Sequence, residues 1–203
     1  MYTPKHFKIE DEQQIYEFLK QNSFGMLISS HDRLSASHLP FSIDQKAKKL
    51  YGHMARANQQ WKELEGDEVL IIFQGPHAYI SPQWYAEENT VPTWNYMAVH
   101  IYGKFVIQNN GETVMNQLES MVDTYESGFE TPWKVDISSE YNQNLVKHIV
   151  GFEIEIKNIQ CKFKLNQNHP IERRKNAIHG LRTTNQHESI QIADAMEKSL
   201  SDH

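Results

Sequence analysis

The chain has 203 residues, 39% hydrophobic and 23% charged, with 20 Lys and Arg against 26 Asp and Glu for a net charge of -6. That length and balance suit one globular domain of about 150 to 200 ordered residues and exclude a disordered or low-complexity chain. The negative charge removes any whole-molecule attraction to phosphate backbones or anionic membranes, and no run approaches the roughly 20 apolar residues of a membrane span. A single cysteine, Cys161, cannot form an internal disulfide, and MYTPKHFKIEDEQQ lacks the apolar run of a signal peptide; the expected location is the cytoplasm.

In chain order, residues 11–22 place Ile15, Phe18 and Leu19 at helical spacing, and FGMLISS (24–30), bounded by His31 and Asp32, reads as a strand. Further strands are predicted at 34–44, 49–55 and 68–75, with a helix over 57–66. Connections this short leave no room for crossover helices, so most of these strands pair antiparallel. In the stretch FQGPHAYISPQWY (73–85), Phe73 and Tyr79 are expected to pack inside. Pro76 and Pro82 bracket the end of the fourth strand and a turn, from which Trp84 and Tyr85 reach a cleft mouth or a dimer seam.

A long strand follows over 93–109. Met97, Val99, Ile101, Gly103, Phe105 and Ile107 share one face; Asn95, His100, Tyr102 and Lys104 sit between them or opposite. Two amphipathic helices, ETVMNQLESMVDTYES and SSEYNQNLVKHIV, come next, with Ser138 or Ser139 capping the second and Gly151 ending it. The last strand, 151–165, changes hydrophobic phase near Lys157 and Asn158, which predicts a bulge or turn there. Pro170 opens another helix, and a final helix packs Ile190, Ala193 and Met196 on the body or on a partner.

Five or six antiparallel strands with helices around them make a mainly β fold, a barrel with α additions. The expected organisation is a barrel domain over 1–185 and a helical tail over 186–203. No G-x-G-x-x-G, P-loop or regular βαβ alternation points to a Rossmann domain.

Three constellations bear on function. In GHMARANQQWKELEG (52–66) an extended segment runs through Arg56 and Asn58 into a helix start, with Lys62 one turn on. That is a phosphate site in outline; the simpler reading is a surface helix capped by Asn58 with both cations solvated. Eight aromatics between Phe73 and Phe105, interleaved with Gln74, His77, Asn95 and His100, fit either core packing or a surface for a flat conjugated ligand. The basic knot of Lys162, Lys164, Arg173, Arg174 and Lys175 is a solvated face, a weak DNA contact through Arg173, Arg174 and Lys175, or a seat for a second phosphate. No histidine pair has metal-ligand spacing, and no metal site is expected.

Taken together, YTPKHF, SHLPF (37–41), GHMARANQQWK (52–62), IFQGPHAYISPQWY (72–85), VPTWNYMAVHIYGK (91–104) and KLNQN (164–168) resemble the PaiB family of FMN-binding negative transcriptional regulators, across almost the whole chain. The resemblance implies an antiparallel FMN-binding split β-barrel of the pyridoxamine-phosphate-oxidase-like kind, a homodimer with FMN between subunits. It places the FMN phosphate at Arg56, supported by Asn58 and Lys62, and the flavin ring along the second strand, with Ser37 or His38. Trp94, Asn95 and Tyr96 would approach from the other subunit, with Lys164 and Gln167 near cofactor or substrate. Two positions depart from the family pattern: Gln59 replaces a proline and Asn166 a serine. The implied role is negative control of degradative enzyme production and sporulation, through DNA or through a DNA-binding partner protein. The alternative is a flavin- or haem-dependent oxidoreductase of the same barrel superfamily using NAD(P)H.

Overall fold

The computed structural model describes residues 1–31 and 33–201; Asp32, expected to help bound the first long strand, lies outside the described residues. The strands are β1 (Lys8–Ile9), β2 (Phe24–Ser29), β3 (Ser35–Pro40), β4 (Ser42–Asp44), β5 (Lys49–Ala55), β6 (Glu68–Ile80), β7 (Thr93–Gln108) and β8 (Ile149–Lys164). The helices are α1 (Glu12–Gln21), α2 (Gly111–Glu126), α3 (Glu140–Val146), α4 (Ile171–Thr183) and α5 (His187–Ser201). The sheet runs β3-β2-β6-β7-β8-β5-β4, with β1 added on β8, and the β1–β8, β2–β3, β2–β6, β4–β5 and β5–β8 ladders are antiparallel. The fold is mainly β with flanking and C-terminal helices, as the sequence implies, and the sheet is not closed into a continuous ladder.

The chain divides into two compact units. One, the barrel unit, comprises residues 16–73 and 100–159; the other, the helical unit, comprises 1–15, 74–99 and 160–203. In the barrel unit β3 and β4 stand at opposite ends of the strand path, yet only Phe41 separates them in sequence. Chain continuity therefore brings the two ends of the sheet together, which curls it into an open barrel. Phe41 is buried against Phe73 (ring centroids 5.5 Å apart) and Phe152, and Phe105 stacks on Phe152 at 4.7 Å. Gly52 makes room for these rings, since a Cβ there would lie 2.7 Å from Phe152.

Several expectations change, and the strand predicted over 34–44 is two strands, β3 and β4, parted at Phe41. The segment predicted as a helix over 57–66 is a single 3-10 turn, Gln59–Glu63, capped by Asn58, whose Oδ1 accepts from Gln60 N (3.0 Å). β6 continues past residue 75 and through Pro76 to Ile80. Its ladder with β2 covers only Leu70 to Ile72, so the proline, which has no N–H to give, falls beyond that ladder. β8 runs from Ile149 to Lys164 with no turn: its β5 partners end at Glu155, its β1 partners begin at Cys161, and the phase change falls on exposed Lys157 and Asn158 between them. Gly151 lies inside β8 rather than ending a helix, and α3 stops at Val146.

In the helical unit α4 and α5 pack against each other, with Ala177, Ile178 and Leu181 buried from one and Ile192, Ala193 and Met196 from the other. Ile192 takes the inward place expected for Ile190, which is half-buried. A Cβ at Gly180 would sit 2.2 Å from the Trp84 indole, so glycine here permits the ring to lie flat against α4.

Candidate functional site: a polar cavity beside the edge strand

The barrel unit holds a cavity of about 810 Å³ along β3, lined by Ser29, Ser35, Ser37, Asn58, Gln60 and Lys62, with Arg33 at its side. Its wall is tied together by one hydrogen-bond network. Asn58 Nδ2 donates to Ser37 Oγ (2.9 Å), and Ser37 Oγ donates to Gln60 Oε1 (2.6 Å). Gln60 Nε2 donates in turn to Ser29 Oγ (3.0 Å) and Ser35 O (3.2 Å). An amide can serve several partners at once, so Gln60 pins the 3-10 turn to the β2–β3 hairpin. Sequence reasoning missed Gln60; the signal available was its place two residues after a capping asparagine.

Lys62 and Arg33 are exposed and make no ion pair among the described residues, whereas His31 is paired with Asp67 (3.2 Å). Two unpaired cations against the one carboxylate of Glu63, beside serine hydroxyls, leave a net positive cavity that suits an anionic, hydrogen-bonding ligand, and the volume lies in the usual range of small-molecule sites. The residues present thus fit a phosphate-bearing cofactor.

Ser37, Asn58 and Lys62, expected together, share this cavity. His38 does not: alternation along β3 turns it outward, where it stacks on Phe24 (6.2 Å, 21°). Arg56 turns away as well. Its Nε donates to Lys147 O and its Nη2 to Ile149 O, both at 2.8 Å, and its guanidinium lies 5.9 Å from the Trp61 ring centre. It caps the carbonyl end of α3 and lines a separate cavity.

The other expected residues lie in the helical unit. Lys164 Nζ donates to Thr93 Oγ1 (2.5 Å) and Trp94 O (2.6 Å), and burial, with Lys162 nearby, pulls its ammonium below the usual lysine range. Gln167 is a turn-former: its amide donates to Phe163 O and its carbonyl accepts from Leu165 N. Between them Asn166 holds φ +63°, a conformation asparagine takes more readily than the serine of the family pattern. Asn95 is fully buried and donates to Met196 Sδ (3.4 Å), while Tyr96 lies under the Lys162 ammonium at 5.1 Å. Trp94 is exposed, edge-on to Tyr79.

Tyr79, expected inside, is therefore a surface residue, because the outward side of β6 carries it. Trp84 and Tyr85, expected at a cleft mouth or dimer seam, pack inward: Trp84 on Gly180, and Tyr85 buried under the Arg173 guanidinium at 3.9 Å. The basic run is mostly engaged. Arg173 also meets Glu87, Arg174 is buried with its Nη2 on Ser199 Oγ, and Lys175 is exposed beside Glu172.

The open antiparallel barrel is the architecture of a flavin-binding split barrel, and comparison with known proteins places the chain in an FMN-binding family. The family model described as "Putative FMN-binding domain" matches residues 1–158. Protease synthase and sporulation protein PAI 2 of Bacillus subtilis (strain 168) is 39% identical over 205 residues, covering 98% of each chain. The chain belongs to the PaiB family, whose domain takes its description from FMN. At the level of fold alone, it resembles the flavocytochrome Anf3 of Azotobacter vinelandii (TM-score 0.63, 12% identity, 80% of this chain and 72% of that one). It is also similar to the FAD and heme binding protein of Mycobacterium smegmatis (TM-score 0.62, 12% identity, 77% and 73%).

Proposed function

We propose that the chain binds FMN in the cavity beside β3 and acts, as a homodimer, as a regulator that holds down degradative enzyme production and sporulation. The observation that carries this reading is the 39% identity to a protein named for protease synthesis and sporulation, which runs over 98% of both chains rather than over a shared domain alone. Arg33 and Lys62 would hold the phosphate, the serine hydroxyls would fix its oxygens, and Asn58 and Gln60 would keep those hydroxyls in place. Bound FMN supplies a redox-active ring; the chain's part is to orient it. The free edge of β3 and the exposed Phe24 and Leu34 near it support pairing with a second copy.

The absorbance spectrum of the purified protein before and after added FMN, read alongside sedimentation, tests the cofactor and the dimer. Flavin bands that stay with the protein through gel filtration are expected. Changing Arg33 and Lys62 together to Ala should weaken FMN by about tenfold or more while riboflavin, which lacks the phosphate, is little affected. A protein that takes up no flavin overturns the cofactor half. Expression in B. subtilis lacking PAI 2 tests the regulatory half: secreted protease should fall, and unchanged protease would overturn it.

A further inference from the structure

We infer that the barrel unit carries a second ligand site, distinct from the cavity beside β3, for a small monocarboxylic acid with an aromatic or branched apolar body. A cavity of about 740 Å³ lies where the end of β7, the first turns of α2, α3 and the start of β8 meet the Arg56–Trp61 segment. Its walls come from Trp61, Ile107, Val114, Met115, Val146 and Val150. A space of that size, mostly apolar with a few polar groups, has the form of a small-molecule site.

The polar part is built rather than incidental. Arg56 is held by two carbonyls, Lys147 O and Ile149 O, through Nε and Nη2, so its plane is fixed and Nη1 remains without a partner among the described residues. A guanidinium locked by backbone acceptors keeps its full positive charge, since carbonyls do not neutralise it; a carboxylate does. Three charged residues line the cavity: Arg56, Lys147 and Glu112. Two cations against one anion leave one net positive charge, which matches a monoanion. The amides of Asn109 and Asn116 add neutral hydrogen-bonding capacity on the α2 side. The two cavities share no lining residue, so occupation of one leaves the other's groups free.

Calorimetry on the protein with saturating FMN, using benzoate and its neutral analogue benzyl alcohol as probes, tests the site. Benzoate is expected to bind at least about tenfold more tightly than benzyl alcohol, through its charge-assisted bond to Arg56. Arg56→Gln should erase that difference while benzyl alcohol still binds. Val146→Trp, which fills the cavity without touching the carbonyl clamp, should abolish binding of both, with circular dichroism confirming the fold of each variant. Equal binding of the two probes, no binding at millimolar concentration, or binding that survives Val146→Trp would overturn the inference. Displacement of benzoate by FMN would also overturn it, by assigning the cavity to the flavin; FMN uptake itself is read independently by absorbance.

Discussion

In the barrel unit the interior is closed by rings: Phe41, Phe73, Phe105 and Phe152 touch one another and each is at most 1% exposed. In the helical unit the buried set includes Asn95, Lys162, Asn166 and Arg174, held by a thioether, tyrosine faces, a tyrosine hydroxyl and a serine hydroxyl. Asn95 Oδ1 and Arg174 Nε are buried without a hydrogen-bond partner. The difference teaches where stability and where selectivity reside. Apolar rings stabilise in proportion to the area they remove from water, whereas a buried polar group contributes only about 1 kcal/mol when paired and destabilises when left unpaired.

The contrast is broken most sharply by Phe152→Ala. Truncating a ring that touches two others should lower unfolding free energy by about 3–5 kcal/mol in urea titrations, and a loss under about 1 kcal/mol would mean that the rings do not hold the barrel. Next in size, Gly180→Ala pushes a Cβ into the Trp84 indole. Overpacking of this kind costs about 1–3 kcal/mol, which outweighs the gain of up to about 1 kcal/mol from alanine's helix preference; Trp84→Leu in the same chain should restore most of it. Asn95→Leu runs the other way. It removes an unsatisfied carbonyl from a buried place and should raise stability by about 1 kcal/mol; a loss instead would show that Asn95 has a partner or a role that this polar interior protects.

The smallest effect is expected from pH. Burial lowers the His53 imidazole below its ordinary value of 6.5. The unfolded chain therefore binds a proton where the folded chain does not, so stability is complete above pH 6.5 and declines as the pH falls through that value. The thermal midpoint should drop between pH 7 and pH 5, and His53→Leu should drop less.

Much of the fold was legible because most strands obey local rules. The period-2 pattern of 93–109 and the short connections before it dictate antiparallel pairing, and Phe18 and Leu19 mark α1 directly. What escaped was set by non-local pairing. Nothing near Pro76 says that β2 stops pairing at Ile72, and nothing near Gly151 says that β5 will recruit it. The site was legible in part for the same reason. Asn58 and Lys62 were found by their chemistry and Ser37 through the family resemblance, and the three do share a cavity, but Arg56 answers to the carbonyls of Lys147 and Ile149, far along the chain. Gln60 carries no charge and no ring, so its role as the tie between three segments emerges only in three dimensions.

The pairing of β5 with β8 also governs the order of assembly. Lys49 meets Glu155 across about a hundred intervening residues, while β2–β3 and β4–β5 pair within short loops. On a ribosome the two hairpins can form early, but the free edge of β5 stays unpaired until the chain beyond residue 148 has emerged. A nascent or truncated chain would display that edge for seconds, as a template for other chains to add to. The long reach from β5 to β8 thus sets how long that edge stays open during synthesis, by topology and not by the cavities it eventually frames.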